Sequence, residues 1–301
     1  MEFNENLFYG SLVKGNLHAA MGHAGCCPDQ AERYGRYVSL FEKEQYLSYG
    51  AEQELEELLR IYQIYFRELF YLSMSKEQAL ERMKRRFAVC LEINAEETDF
   101  GELEETYIAP RFRDRGYHFL GGRTGGWYGP YIWKETECRT YEVELPDGIQ
   151  AYTVNLLDGF LMKSWLDYLS FGEVSTGGWS NGDGMINCVK ASYDLESENF
   201  QVSLLKHEAQ HAMDLAKYKD MTSEDLEYRA KLVELIYSRE RNLLPDFVRQ
   251  ADSGQAGNGH AMAAYRIAVE YAARYPEKNL GELICQEIQH TARELFSQSG
   301  M

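Results

Sequence analysis

His207 and His211 flank Glu208 in the run Leu204-Leu205-Lys206-His207-Glu208-Ala209-Gln210-His211-Ala212-Met213-Asp214, an H-E-x-x-H pentad. Residues four apart on an α-helix lie about one turn from each other on one face, so both imidazoles can reach a single ion at about 2.0 to 2.1 Å. Glu208 is offset around the helix. Its carboxylate would meet a water on that ion rather than the ion itself, which is the general-base arrangement of metal-assisted hydrolysis. Zinc brings the pKa of such a water to about 7, so the glutamate need only take a loosened proton. The pentad therefore points to a zinc-dependent hydrolase; the plain alternative is a surface helix with two solvated histidines.

The flanks decide between these. Phe200, Leu204, Leu205, Ala209, Ala212 and Ala216 fall at helical spacing for a core stripe, and His207, His211, Asp214 and Tyr218 form a second stripe beside it. Asp214, one turn after His211, is either an outer carboxylate that orients a ligand imidazole or an ordinary exposed acid. A third protein ligand is still required. The H-E-x-x-H-x-x-G-x-x-H continuation is missing, since Asp214, Leu215 and Lys217 occupy that stretch without a histidine, and the metzincin pattern is excluded. The stretch from Thr222 to Leu235 reads as a second helix, with Thr222 as N-cap and Asp225 closing a capping box. The positive end of the helix dipole accounts for Glu224 and Asp225, but not for Glu227 one turn further in. Glu227 is the expected third zinc ligand, with Glu224 and Glu234 in reserve.

An H-E-x-x-H helix with a glutamate on a second, downstream helix resembles the gluzincin type of zinc metallopeptidase, within the zincin superfamily. The resemblance covers about thirty residues, His207 to Leu235. It implies peptide-bond hydrolysis on a peptide or protein substrate. It also implies an edge strand that binds extended substrate by backbone pairing, and Met185 to Tyr193 stands where that strand would fall. The interval from His211 to Glu227 is shorter than in thermolysin-like members. A different reading keeps the metal and drops the catalysis, leaving a zincin-like binding or regulatory module, although the intact Glu208 has no use in a purely structural site. A third, a helical interaction protein with a chance pentad, expects no metal.

Hydrolysis also wants a donor for the oxyanion of the tetrahedral intermediate. In Gly257-Asn258-Gly259-His260, Asn258 reads as an N-cap and His260 would project from the first turn of a helix, whose dipole favours the neutral ring. His260 is the candidate, with Tyr265 next; the alternative is a surface histidine in a capping region.

The elements that must position these groups can be read from patterning. Tyr141, Val143 and Leu145 alternate with Glu142 and Glu144, Pro146-Asp147-Gly148 turns the chain, and Gln150, Tyr152, Val154 and Leu156 alternate again, which predicts a hairpin with one wet face. Asn181-Gly182-Asp183-Gly184 predicts a further turn. The glycines from Gly121 to Gly129 lack phosphate-loop spacing and read as hairpin turns. Further upstream, Leu55, Leu58, Leu59, Tyr62, Tyr65, Phe66 and Leu69 repeat at helical spacing, and Ser75 caps another helix running through Leu80, Met83, Phe87 and Leu91. The expected fold class is α+β: a helical N-terminal part (1–100) and a zincin-like domain (101–301). In the latter a strand-rich stretch (117–193) forms a small, mainly antiparallel sheet and a helical half (197–299) carries the active-site helix. A boundary is expected near Asn94 to Gly101, where polar and acidic residues cluster.

A chain of 301 residues, 45 % hydrophobic and 13 % aromatic, can bury a large core. Its net charge of -17 argues against nucleic acid and anionic membrane as partners, both of which need basic surface. The clusters Lys84-Arg85-Arg86 and Arg111 to Arg115 sit among acids and read as solvated faces or ion pairs. Neither a leader pattern nor an apolar span is present, and the six cysteines lack a disulfide framework, so a cytoplasmic protein is expected. His18, His23, Cys26 and Cys27 are a weaker candidate for a second metal site, since adjacent cysteines lack zinc-finger spacing.

Overall fold

Two separate cores organise the chain. The computed structural model describes residues 2–94, 98–180, 185–239, 242–254 and 258–300. It divides into one unit of Met1–Glu135 with Asp158–Thr176 and another of Thr136–Leu157 with Gly177–Met301. The fold class is α+β, with helices at both ends and small sheets rich in antiparallel pairs between them. No helix among the described residues is long and apolar enough to cross a membrane.

The first unit is built on the helices Gln53–Phe66 and Lys76–Cys90. Leu55, Leu58, Leu59, Tyr62, Tyr65 and Phe66 are buried as their spacing predicts, and the Ser75 side chain accepts from the Gln78 N–H at the start of the second helix. The expected boundary near residue 100 is corrected. Phe100, Leu103, Ile108, Phe112, Phe119 and Ile132 belong to the same apolar cluster as Tyr62 and Phe66, so the first core captures the chain as far as Glu135. The strand-rich stretch is thereby split: a three-stranded sheet (His118–Leu120, Tyr131–Trp133, Met162–Lys163) lies in the first unit and a four-stranded one in the second. The basic clusters are paired with acids, Arg85 with Glu81, Arg86 with Glu68, Arg111 with Glu54 and Arg113 with Glu105.

In the second unit, strands Glu135–Leu145 and Gly148–Asp158 flank the Pro146-Asp147 turn. Val143, Leu145, Tyr152, Val154 and Leu156 are buried, while Glu142 and Glu144 are exposed. Gly148–Asp158 pairs in parallel with Met185–Val189, which pairs antiparallel with Gly178–Ser180. Met185–Val189 is therefore an interior strand, and the expectation that it forms the cleft edge is corrected; the edge on that side is Gly178–Ser180. The turn expected at Asn181 to Gly184 lies outside the described residues, as do 95–97 at the expected boundary and Gly257. Helices His207–Lys217, Ser223–Tyr237, Gly259–Arg274 and Cys285–Gln298 complete this unit. Its core joins sheet residues Val154 and Ile186 to helix residues Ala209, Leu232, Ile267 and Leu295.

One buried acid gives the first unit a pH signature. Glu104 is 1 % exposed, and its two oxygens accept from the Tyr62 hydroxyl at 2.7 Å and the Gly122 N–H at 2.9 Å. Burial lifts its pKa from 4.5 to about 7 despite both bonds. The folded value lies above the unfolded one, so the stability Glu104 carries is fully present below pH 4.5 and is lost as pH rises through about 7. The loss amounts to about 3 kcal/mol. Thermal melts of the parent should therefore fall between pH 5 and pH 8 by more than those of Glu104→Gln; parallel profiles would contradict the assignment.

Candidate metal centre

The histidine helix (His207–Lys217) and the glutamate helix (Ser223–Tyr237) are consecutive and lie side by side. Burial of Phe200, Leu204, Leu205, Ala209 and Ala212 seats the first against the core, although Ala216, expected in that stripe, is exposed. Thr222 caps the second, accepting from the Asp225 N–H at 3.1 Å. The Asp225 carboxylate accepts from the Thr222 hydroxyl at 2.7 Å and also pairs with Arg266. His207 and His211 then face Glu227. Their ligand atoms all lie within 4.8 Å of one another, a group that could hold a metal ion.

The distances suit a tetrahedral ion. His207 Nε2 and His211 Nε2 are 2.9 Å apart; Glu227 Oε2 is 3.5 Å from the first and Glu227 Oε1 is 3.4 Å from the second. Ligands held at about 2.0 to 2.1 Å around a tetrahedral zinc are separated by about 3.3 Å, so a small opening of the two rings suffices. Glu227 Oε2 is buried without a hydrogen bond, although three imidazoles lie at ion-pair distance from the carboxylate. A buried carboxylate oxygen left in that state is what a cation would satisfy. The residues present therefore fit zinc. Glu224, held in reserve from the sequence, is not in the group.

Glu234, the other reserve, has a different place. Its Oε1 lies 2.7 Å from His207 Nδ1, so the ring donates there and presents Nε2 toward Glu227 and His211. The role expected of Asp214 is corrected accordingly. Asp214 is fully buried and bonds the Arg229 Nε at 2.8 Å instead of a ligand imidazole. Arg229, 2 % exposed, also donates to Ser299 and lies over the Phe296 ring. Spacing alone could not separate these two acids, because both sit at helical intervals from a ligand. The deciding signal is Arg229, a cation in an apolar stretch that demands a buried partner.

Electrostatics at the triad oppose each other. Burial disfavours the charged form of His207, but hydrogen bonds and charge from Glu227 and Glu234 outweigh it and push the pKa up to about 10. Burial likewise disfavours ionised Glu227, yet His207, His211 and His260 hold its carboxyl far below the ordinary range. His260 sits where Asn258 starts the helix, its side chain accepting from the Ala261 N–H. The ring is 64 % exposed with Nδ1 2.8 Å from Glu227 Oε2, at the mouth of the group. Gly259 makes this approach feasible: a Cβ there would run into the Ser223 side chain and lie 2.9 Å from the Ser223 carbonyl oxygen. Tyr265, the second candidate, has an exposed side chain.

Glu208 is half-buried, and no hydrogen bond or ion pair to another described residue engages its carboxylate. Sequence reading missed Tyr193. Burial, with the charges of Cys188, Glu208 and Glu234 added, pushes its hydroxyl up to about 12, so it stays protonated. The separation between Tyr193 and the pentad in sequence hid it. The cavity of about 530 Å³ lined by Asp147, Arg229, Arg293 and Phe296 shares no residue with the triad. The weaker second metal site does not assemble: His18 Nε2 donates to the Tyr71 carbonyl, His23 Nε2 accepts from the Asn4 N–H, and all six cysteines are free. Compared with known proteins, the chain matches no protein-family model, no curated protein and no solved structure.

Three substitutions probe this geometry. Glu234→Gln should weaken zinc affinity by about 10- to 100-fold in competition with a chromogenic chelator, because His207 loses its charged partner; an unchanged affinity would remove Glu234 from the site. Gly259→Ala should push His260 off Glu227 and lower the melting temperature, whereas Gly254→Ala on the nearby loop should leave both the melt and the His260 resonance in place.

Proposed function

We propose that this chain is a zinc-dependent metallopeptidase of gluzincin-like architecture. The observation that carries the reading is the convergence of His207, His211 and Glu227 within 4.8 Å, with Glu234 on the far nitrogen of His207. A structural site would close its coordination with a fourth protein ligand, whereas three ligands beside a free carboxylate leave a position for water.

His207, His211 and Glu227 would hold the ion, which when bound supplies Lewis acidity toward water and the scissile carbonyl. Glu208 takes the proton from the attacking water and delivers it to the leaving amine, so the carboxylate ends the cycle unchanged. Glu234 keeps the His207 ring in the tautomer that presents Nε2. Tyr193, and His260 through its ring nitrogen away from Glu227, are the candidate donors to oxygen charge developing on the carbonyl. The substrate is a peptide or protein, and the exposed edge at Gly178–Ser180 offers backbone groups to an extended segment.

The test separates metal binding from catalysis. Elemental analysis should find about one zinc per chain in the parent and in Glu208→Gln, and less in Glu227→Ala. Cleavage of a fluorogenic peptide library should drop by at least about 10²-fold in Glu208→Gln. A parent that takes up no zinc, or a Glu208→Gln variant that cleaves as fast as the parent, would sink the reading.

A further inference from the structure

Lys231 lies one helical turn beyond Glu227 and precedes Glu234 by three residues, on the face of the glutamate helix that carries both. It is 4 % exposed. A buried ammonium has three donors and a large desolvation cost, so it is normally paired with a carboxylate or saturated with hydrogen bonds. Neither holds here. Among the described residues no carboxylate lies within ion-pair distance of Nζ. Its hydrogen bond is a long one, 3.4 Å to Gln250 Oε1, and the Phe247 ring lies 4.3 Å away. A lysine serving only to balance the neighbouring acids would pair with one of them, yet Glu227 and Glu234 are turned to the histidine rings. The other fully buried cation, Arg229, has its carboxylate in Asp214.

The hydrogen-bonded neighbour of this ammonium lies at the surface, on the helix that ends against the start of the His260 helix. Gln250 is the last residue of the helix Leu244–Gln250 and is exposed. Two residues on, the Asp252 N–H bonds the Ala261 carbonyl, which brings the end of that helix against the start of the next. Ala261 adjoins His260, whose ring touches Glu227. Of these two helices, one thus carries the Lys231 partner Gln250 and the other carries His260 beside Glu227. Burial lowers the lysine pKa while Glu234 and Glu227 support the charged form.

We propose that Lys231 is a specificity residue whose Nζ binds a carboxylate of the substrate, so that the site prefers peptides carrying an acidic side chain or a free C-terminal carboxylate near the scissile bond. This rests on the metallopeptidase reading above. An ammonium–carboxylate contact in a dry site is worth about 1.5 to 3 kcal/mol, which is a factor of about 10 to 150 in affinity.

The probes are malonyl hydroxamates of dipeptides, titrated calorimetrically into the zinc-loaded protein: Ala-Ala as free acid or amide, and Ala-Glu-amide against Ala-Gln-amide. At least one acid form should bind about tenfold or more tightly than its neutral partner, and the pair that responds identifies the carboxylate as terminal or side-chain. Lys231→Met should abolish that preference while zinc content and affinity for the neutral forms stay unchanged, and Lys231→Arg should retain part of it. If both acid forms bind no better than their neutral partners while zinc is held, the Lys231 assignment falls and the metal site stands. A parent without zinc removes the metallopeptidase reading and this inference together, and elemental analysis distinguishes that case. The comparison on the parent needs no variant to fold.

Discussion

The contact between Asp214 and Arg229 sets the register on which the metal group depends. A two-histidine site on one helix is local, since the i, i+4 spacing guarantees it, but the third donor must arrive from another helix at the correct height. Asp214 lies three residues beyond His211 and Arg229 two residues beyond Glu227, and both charges are out of water. Sliding either helix by a turn would separate them and leave two uncompensated buried charges, a cost of several kcal/mol. Ser299 and the Phe296 ring hold the guanidinium from the last helix, so the clamp is fastened at three points. The pair adds little net stability by itself; its effect is to make one helix alignment far better than its neighbours.

Close approach is the second requirement, and two glycines meet it. Gly178 lies in the edge strand where a Cβ would come 2.7 Å from the Asn187 carbonyl and 2.9 Å from a Leu204 methyl, the segment leading into the histidine helix. Gly259 does the same for the helix that carries His260. Neither position has the left-handed backbone that usually explains a glycine; the space alone demands it. The sheet edge and the His260 turn thus reach the ends of the histidine and glutamate helices without a side chain between.

Local signals in the chain were readable, and long-range ones were not. The pentad, the Thr222 and Asn258 caps, the Glu142/Glu144 alternation and the stripe from Leu55 to Phe66 each arise from spacing within one element, and each has the structure that its spacing implies. Glu227 could be singled out because the helix dipole accounts for its acidic neighbours and leaves it unexplained. Asp214 against Glu234 could not be decided that way. Both fall on the right face, and only the position of Arg229 in three dimensions assigns one to a cation and the other to an imidazole. The strand Met185–Val189 failed for a similar reason, since a short apolar strand reads alike whether a neighbour covers its outer side or not. The boundary failed because an acidic stretch of sequence near residue 100 resembles a linker, whereas Phe100, Leu103 and Phe112 return the chain beyond it to the first core.

The charge balance at the triad would couple its protons to the cation proposed for it. With Nδ1 bonded to Glu234 and Nε2 facing Glu227, the His207 ring has a carboxylate at either nitrogen, and together they push its pKa up to about 10. On the proposed reading a divalent ion would displace a proton from Nε2 and satisfy the Glu227 oxygen left without a hydrogen bond. Ion uptake near neutral pH must therefore release a proton, and affinity should rise with pH for as long as His207 is the group displaced. The same carboxylates that raise the proton's affinity also raise the ion's, and a doubly charged ion gains more from them than a proton does. Burial amplifies both. On the proposed reading, ion affinity is therefore lowest where protons compete best for His207.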